Sequence, residues 1–289
     1  MSVLKIPSPF TQSGKESIFK IGSVILLIGI SIIVIIPFAW MISTSLKPDL
    51  TAVYSFPPKW IPNPPSWRNY VDAWNAAPFD KYLVNSLIVS ISGMVLQVTN
   101  ACLCAYAFTR VKFPGRDFIF LLFLAVLMIP RQVTVIPNYI VITDLKLLNT
   151  YWALILPNAA TAFGTFLIRQ AFLSVPDDLV DAAVLDGAGH LRILRHVMIP
   201  LSTPMIITLA LLTFNWRWND YFWPLIMTSS DSMRVLPLGL VAMRAGSEGG
   251  SQWHILMAAT VIVISPIMIL FAFAQRYFVE GISRTGLHA

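Results

Sequence analysis

Apolar residues gather in six runs, at positions 21–44, 83–108, 118–137, 152–172, 205–227 and 254–275. Each approaches the roughly 20 residues that an α-helix needs to cross the hydrocarbon layer of a bilayer. The pattern predicts an all-α fold: a polytopic membrane helix bundle with six transmembrane helices over residues 21–276, a short N-terminal segment 1–20 and a C-terminal tail 277–289. An even number of spans puts both termini on one side. Lys15 and Lys20 precede the first run as they would in a signal peptide. That run is longer than the usual signal core and no convincing cleavage pattern follows, so it reads as a retained anchor helix.

The polar connections set the orientation. The short connection 109–117 carries Arg110, Lys112 and Arg116, whereas 139–151 carries only Lys146. Positive residues in short loops stay on the cytoplasmic side, which puts both termini there. Lys5, Lys15 and Lys20 at one end and Arg276 and Arg284 at the other agree. Lys47, Lys59, Arg68 and Lys81 in the first external segment run the other way, but that loop is long and long loops weigh less.

Composition removes other classes. Only 12% of the 289 residues are charged, where a soluble domain has roughly 25%, and the mean hydropathy is +0.72. The formal charge of +6 sits in short connections with no basic stripe interleaved with aromatics, which argues against nucleic acid. Cys102 and Cys104 lie two apart on one run and point to different sides of a helix, so they cannot bridge.

Proline placement adds detail. The segment 56–65, FPPKWIPNPP, cannot run as a helix and predicts an extended outer cap. Its neighbourhood holds Trp60, Trp67 and Trp74, which suit either the membrane interface or docking of an external partner. Pro130, Pro137, Pro157, Pro224 and Pro266 fall within or at the ends of apolar runs, where they mark either bends between packed helices or kinks that line a water-filled path. Ala101, Ala105 and Ala107 allow close helix contact.

The stretch 174–201, between the fourth and fifth runs, stands apart. Ser174 can cap a helix whose first turn holds Pro176, Asp177 and Asp178, all favourable at the positive end of the helix dipole. Gly187 is the natural residue for a left-handed stop. A second helix follows, with Leu191, Leu194, Val197 and Met198 on one stripe and Arg192 and Arg195 away from it. The expected product is a helix–turn–helix on the inner membrane face exposing Ala182, Ala183 and Ala188. It reads equally as a knob for another protein's groove or as an amphipathic connector resting on headgroups.

Asp181-Ala182-Ala183, Asp186-Gly187-Ala188 and Ile199-Pro200-Leu201 together resemble the EAA loop of permease subunits of ATP-binding-cassette importers. The sequence WNDYFWPL at 218–225 and QRYFVEG at 275–281 are similar to segments of the carbohydrate, maltose-permease-like members, as are residues 56–65 and Asn85-Ser86. The resemblance covers most of the chain. It implies that Asp181, Ala182, Ala183, Asp186, Gly187, Ala188 and Leu194 form a coupling helix that docks on an ATPase, with a further contact from Gln275, Arg276, Tyr277 and Gly281. Asp181 stands where the family has glutamate, Leu194 where it has an aromatic plug, and residues 282–289 depart from the usual ending.

No G-x-x-x-x-G-K-[ST] phosphate loop occurs, so ATP and Mg are expected on a partner ATPase and no cofactor on this chain. His190, His196, His254 and His288 show no metal-ligand spacing, and no nucleophile elbow is present. At membrane depth Arg217 and Asp220 lie three apart and suit either a mutual ion pair or contacts to sugar hydroxyls. Arg131 has no evident partner and is expected to snorkel to the outer surface. A sugar path needs hydrogen-bonding groups and aromatic faces, for which Asn85, Gln97, Asn100, Asn158, Asn215, Trp216 and Asn219, with Asp220, are the available residues. Arg217 is the one central cation, which favours a neutral sugar over a phosphate ester.

The expected function is the permease subunit of an ATP-driven importer of a sugar or oligosaccharide in a prokaryotic cytoplasmic membrane. Its expected partners are a second homologous permease, an ATPase dimer and an external substrate-binding protein. A membrane-embedded enzyme on lipid-linked or glycan substrates is the alternative, but no convergent acid, base or metal cluster supports it. An ion-coupled carrier would want intramembrane carboxylates, and these are nearly absent.

Overall fold

A computed structural model describes residues 10–246 and 252–285, with side chains described for 20–244 and 252–273. Among the described residues every regular element is helical. The chain divides into two units, Met1–Ala73 with Gly250–Val261 and Trp74–Gly249 with Ile262–Ala289.

The first unit is built on Phe10–Ser45, a helix rich in Ile and Val in which none of residues 20–42 is buried, burial beginning only at Ser43, Thr44 and Ser45. An apolar helix of this length suits the hydrocarbon layer of a bilayer. The segment after it turns where Asp49 caps the short helix Leu50–Val53 by accepting from Ala52 N. Bonds from Asp49 to Thr51 and Ala52 hold its carboxyl below the usual range. The Asn69 side chain then ties the segment down, donating to Ser45 O at 2.8 Å and Lys47 O at 2.7 Å. Residues 56–65 contain no helix, as their prolines require. Trp60 packs edge-on to Trp40 at 5.0 Å, whereas Trp67 is largely exposed.

The second unit is organised around Phe79–Arg110, which packs against Ala162–Leu173 and Thr203–Trp218. Ala101 and Ala105 are fully buried at these crossings, as their size permits, and Ala107 is half-buried. One apolar cluster joins Cys102, Tyr106, Ile168, Phe172 and Leu209 to the 174–201 stretch. A second joins Val89, Ile142, Leu154, Trp223 and Met227.

Three of the six expected spans are not single helices. Lys20–Ser45, Phe79–Arg110 and Trp253–Phe273 are continuous. Arg116–Met128 meets Arg131–Asp144 at 99°, Tyr151–Asn158 meets Ala162–Leu173 at 50°, and His190–Leu201 meets Thr203–Trp218 at 84°. The expected fifth span, 205–227, is instead Thr203–Trp218, a break at residues 219–221, and the short helix Phe222–Met227. Local chemistry causes the bends. Pro130 holds Ile129 extended at ψ 115°. Pro157 lies in a tight 3-10 turn, after which Thr161 starts a new helix by accepting from Gly164 N. Ser202 sits between Pro200 and Pro204. Pro137 and Pro266, by contrast, lie inside helices. The breaks expose carbonyls that need donors at membrane depth. Asn100 Nδ2 bonds Ala159 O at 3.0 Å and Arg217 Nη2 bonds Asn158 O at 2.6 Å.

Candidate coupling hairpin and transport cleft

The 174–201 stretch forms the expected hairpin, with changes of detail. Its first arm is Asp177–Leu185, with Asp177 and Asp178 in the first turn and Pro176 at the cap position. Ser174 does not cap it, because its hydroxyl donates back to Ala171 O at 2.8 Å and closes the preceding helix. Gly187 takes φ +78°, and Ala188 N reaches back to Ala183 O at 2.9 Å, the wrap-around bond of a left-handed helix stop. The second arm starts at His190, widens into a π turn at Leu194–Met198 and ends at Leu201.

The hairpin's inner face carries Val180, Ile193, Leu194 and Met198, all buried in the cluster with Tyr106 and Phe172. Leu194 was expected to face outward as a plug; at 5% exposure it is a core side chain of this chain. Leu191, expected on one apolar stripe with Leu194, is 74% exposed. Ala183 and Ala188 are half-buried against the same core, so they set the tightness of the hairpin. The outward surface is Asp181, Ala182, Asp186 and Gly187, with the apolar Leu185 at 88% exposure.

Two residues outside the expected site, one of them Arg110, legible in the sequence only as an orienting charge, join the hairpin to Phe79–Arg110. Arg110, in the last turn of that helix, contacts Asp177 Oδ1 and donates to Phe172 O at 3.1 Å and Val175 O at 2.7 Å. Tyr106 Oη lies 3.0 Å from His190 Nδ1, with the rings edge to face. A cation at a helix C-terminus beside a short loop is the signal that could have pointed to Arg110.

The breaks near residues 130, 159 and 220 bring the polar residues of the path together only in part. A cleft of about 370 Å³ is lined by Arg131, Gln132, Thr134, Asn138, Asn158, Trp216 and Asp220, among others. A neighbouring one of about 300 Å³ shares Arg131, Thr134, Asn158 and Trp216 and adds Gln97. Arg131 does not snorkel away: its Nη2 donates to Asn158 Oδ1 at 2.9 Å and its guanidinium stacks 3.7 Å from the Trp216 ring centre. Arg217 and Asp220 form no direct ion pair. Arg217 donates to Asn158 O and to Gln97 Oε1 at 3.2 Å, while Asp220 Oδ1 accepts from Trp223 N at 3.1 Å and caps Phe222–Met227. The premise that Arg217 is the only central cation therefore fails, because Arg131 lines both clefts.

Other residues of the expected path have different employment. Asn85 is 3% exposed and saturated: Nδ2 donates to Ser232 O and Arg234 O, both at 2.8 Å, and Oδ1 accepts from Tyr151 Oη at 2.6 Å. Asn100 holds the Ala159 carbonyl. Asn219 bonds back to Asn215 O and Oδ1 within its own turn. Gln275, Arg276, Tyr277 and Gly281 continue the backbone of Trp253–Thr285, and their side chains lie outside the described residues, as do residues 286–289 of the tail.

Helices broken around a polar cleft, with a protruding hairpin beyond them, define a membrane permease. The chain belongs to the family of binding-protein-dependent transport system inner membrane components, whose profile matches residues 97–284. It is 36% identical to the sn-glycerol-3-phosphate transport system permease protein UgpE of Yersinia enterocolitica over 265 residues, 90% of this chain and 94% of that protein. The UgpE of Salmonella typhi is 35% identical over 263 residues, 89% of this chain and 93% of its own length. A chain in the crystal structure of a bacterial ABC transporter that imports the acidic polysaccharide alginate superposes with a TM-score of 0.82 at 23% identity, covering 94% of this chain and 100% of its own. A second match, at TM-score 0.60 and 13% identity over 92% of this chain and 95% of its own, comes from a bacterial alginate transporter in complex with its pentasaccharide-bound periplasmic protein. This chain is accordingly a membrane transport subunit rather than an enzyme, of a family that works with a substrate-binding protein and an ATPase.

Proposed function

We propose that the chain is one of two homologous permeases of an ATP-driven importer for a sugar or sugar-like polyol. The named cargoes of its relatives, glycerol 3-phosphate and alginate, support that class. ATP and Mg are held by an ATPase dimer on the cytoplasmic side, where both termini also lie, and an external binding protein delivers cargo. The observation that carries this reading is the hairpin at Gly187, which turns buried apolar residues inward and presents Asp181, Ala182, Leu185 and Asp186. A small, rigid, exposed knob is what a partner needs as a handle. Closure of the ATPases displaces it, and the helices rooted in the same core carry the displacement to the cleft.

The handle must bias two states strongly. Moving a population from 1:99 to 99:1 takes about 5.5 kcal/mol of differential binding. The complete importer in proteoliposomes tests this. Gly187→Val forces a β-branched residue into a left-handed turn, and is expected to leave the complex assembled while lowering uptake per ATP hydrolysed. Normal uptake with normal stimulation of hydrolysis by cargo would remove the hairpin from the mechanism.

A further inference from the structure

Behind the clefts lies a pocket of about 10 Å³ whose walls include Ser90 of Phe79–Arg110, Leu154 of the fourth span, Arg217 just before the break at residues 219–221 and Asp220 within it. One water molecule needs roughly 10–15 Å³ of such space.

Two wall residues carry buried polar atoms with no hydrogen-bond partner among the described residues. They are the hydroxyl of Ser90, 1% exposed, and Nε of Arg217, 8% exposed. A serine inside a helix commonly returns its hydroxyl to the carbonyl one turn back, as Ser31 does to Leu27 O at 2.8 Å. Ser90 makes no such bond. A side-chain carbon on Gly93 would lie 2.7 Å from Arg217 Nε, and Ser90 stands three residues before Gly93, so Nε rests on the same face of the helix as Ser90. Asp220 is the carboxylate of the pocket, and it accepts from Trp223 N rather than from Arg217. Buried polar groups are rarely left unpaired, because each gives up its hydration without return. Cavities that stay dry have apolar walls, whereas this one has a donor, a hydroxyl and a carboxylate.

We propose that the pocket holds one ordered water, which accepts from Arg217 Nε, donates to the Asp220 carboxylate and bonds the Ser90 hydroxyl. Three polar partners are what a buried water typically has. The water makes Arg217 and Asp220 an indirect ion pair across the break in the fifth span and pins that break to Phe79–Arg110. A bridging water is nearly as good as a direct bond, so Arg217 is answered while Asp220 keeps its cap on Phe222–Met227. The inference stands apart from the hairpin and from the identity of the cargo.

X-ray radiolysis of the complete importer in nanodiscs tests it, because hydroxyl radicals formed from a bound water oxidise the side chains that touch it, however buried. Leu154, in the pocket wall, and Leu209, packed in the apolar cluster with Ile168 and Phe172, are both 2% exposed. The comparison therefore isolates the effect of a water. Mass spectrometry is expected to find Leu154 oxidised severalfold faster than Leu209. Ser90→Val puts a methyl where the water sits and should bring Leu154 down to the Leu209 rate. Equal rates in the parent overturn the inference whatever the variant does. Fast oxidation of Leu154 that survives Ser90→Val in an importer that still assembles overturns it too, since the radicals then come from the neighbouring clefts.

Discussion

Gly93 and Arg217 share one volume: a side-chain carbon on Gly93 would lie 2.3 Å from Arg217 Nη1 and 2.4 Å from its Cζ. The missing side chain of one residue is the space in which the guanidinium of the other reaches Asn158 and Gln97. Gly93→Ala should therefore displace Arg217 from Asn158 O. Overpacking of this kind costs about 1–3 kcal/mol, a fall of several degrees in the apparent melting temperature of the purified complex. Shortening the arginine, as Gly93→Ala with Arg217→Met, should recover part of that loss if the collision is its source, and thermal unfolding of both variants checks this.

Asn85 gives the opposite kind of prediction. It was expected on the cargo path, yet its amide closes three hydrogen bonds that join Phe79–Arg110 to residues 232–234 and Tyr151. Asn85→Ala leaves buried groups unpaired at about 1–3 kcal/mol. It should lower the yield and thermal stability of folded importer, while the cargo concentration giving half-maximal uptake stays as in the parent.

Leu194 and Leu185 separate core from docking surface within one hairpin. Leu194→Ala opens a hole in the buried cluster and should destabilise by about 2–5 kcal/mol. Leu185→Ala, at a side chain 88% exposed, should change stability by less than about 0.5 kcal/mol and yet weaken retention of the ATPase. Melting curves paired with co-purification of the ATPase distinguish the two effects.

Arg110 predicts a loss of transmission without a loss of fold. Arg110→Ala removes the Phe172, Val175 and Asp177 contacts together, whereas Asp177→Ala removes only an ion pair whose carboxylate is 77% exposed. Exposed pairs are worth little. Uptake per ATP should fall sharply in Arg110→Ala, by about tenfold if one to two charge-assisted bonds are lost, and only slightly in Asp177→Ala. Parallel uptake and hydrolysis rates in proteoliposomes decide.

The six apolar runs and the hairpin were legible because local rules set them: run length, Pro176, the aspartates of the first turn, and a glycine where φ must be positive. The bends were only half legible. Proline marks where a helix stops, but at the 50° turn the freed carbonyls of Asn158 and Ala159 are received by Arg217 and Asn100, far away in sequence. Arg131 shows the same limit, since its partners Asn158 and Trp216 lie 27 and 85 positions away. Leu191 and Leu194 share one apolar stripe by periodicity, yet the first is 74% and the second 5% exposed, because only the second reaches the buried cluster with Tyr106 and Phe172. Side chains chosen for a sugar path by type alone mixed a structural clamp, Asn85, with residues that do line the cleft, Asn158, Trp216 and Asp220.

The handle itself is the most direct point of attack. Ala182→Cys and Leu185→Cys place thiols on the outward face of the hairpin, and crosslinking to the ATPase can be followed in membranes while uptake is measured in the same sample. The account predicts a crosslink whose yield changes between nucleotide-free and ATP-bound states and whose formation stops uptake. A hairpin that never crosslinks to the ATPase in membranes that still accumulate cargo on ATP would contradict it.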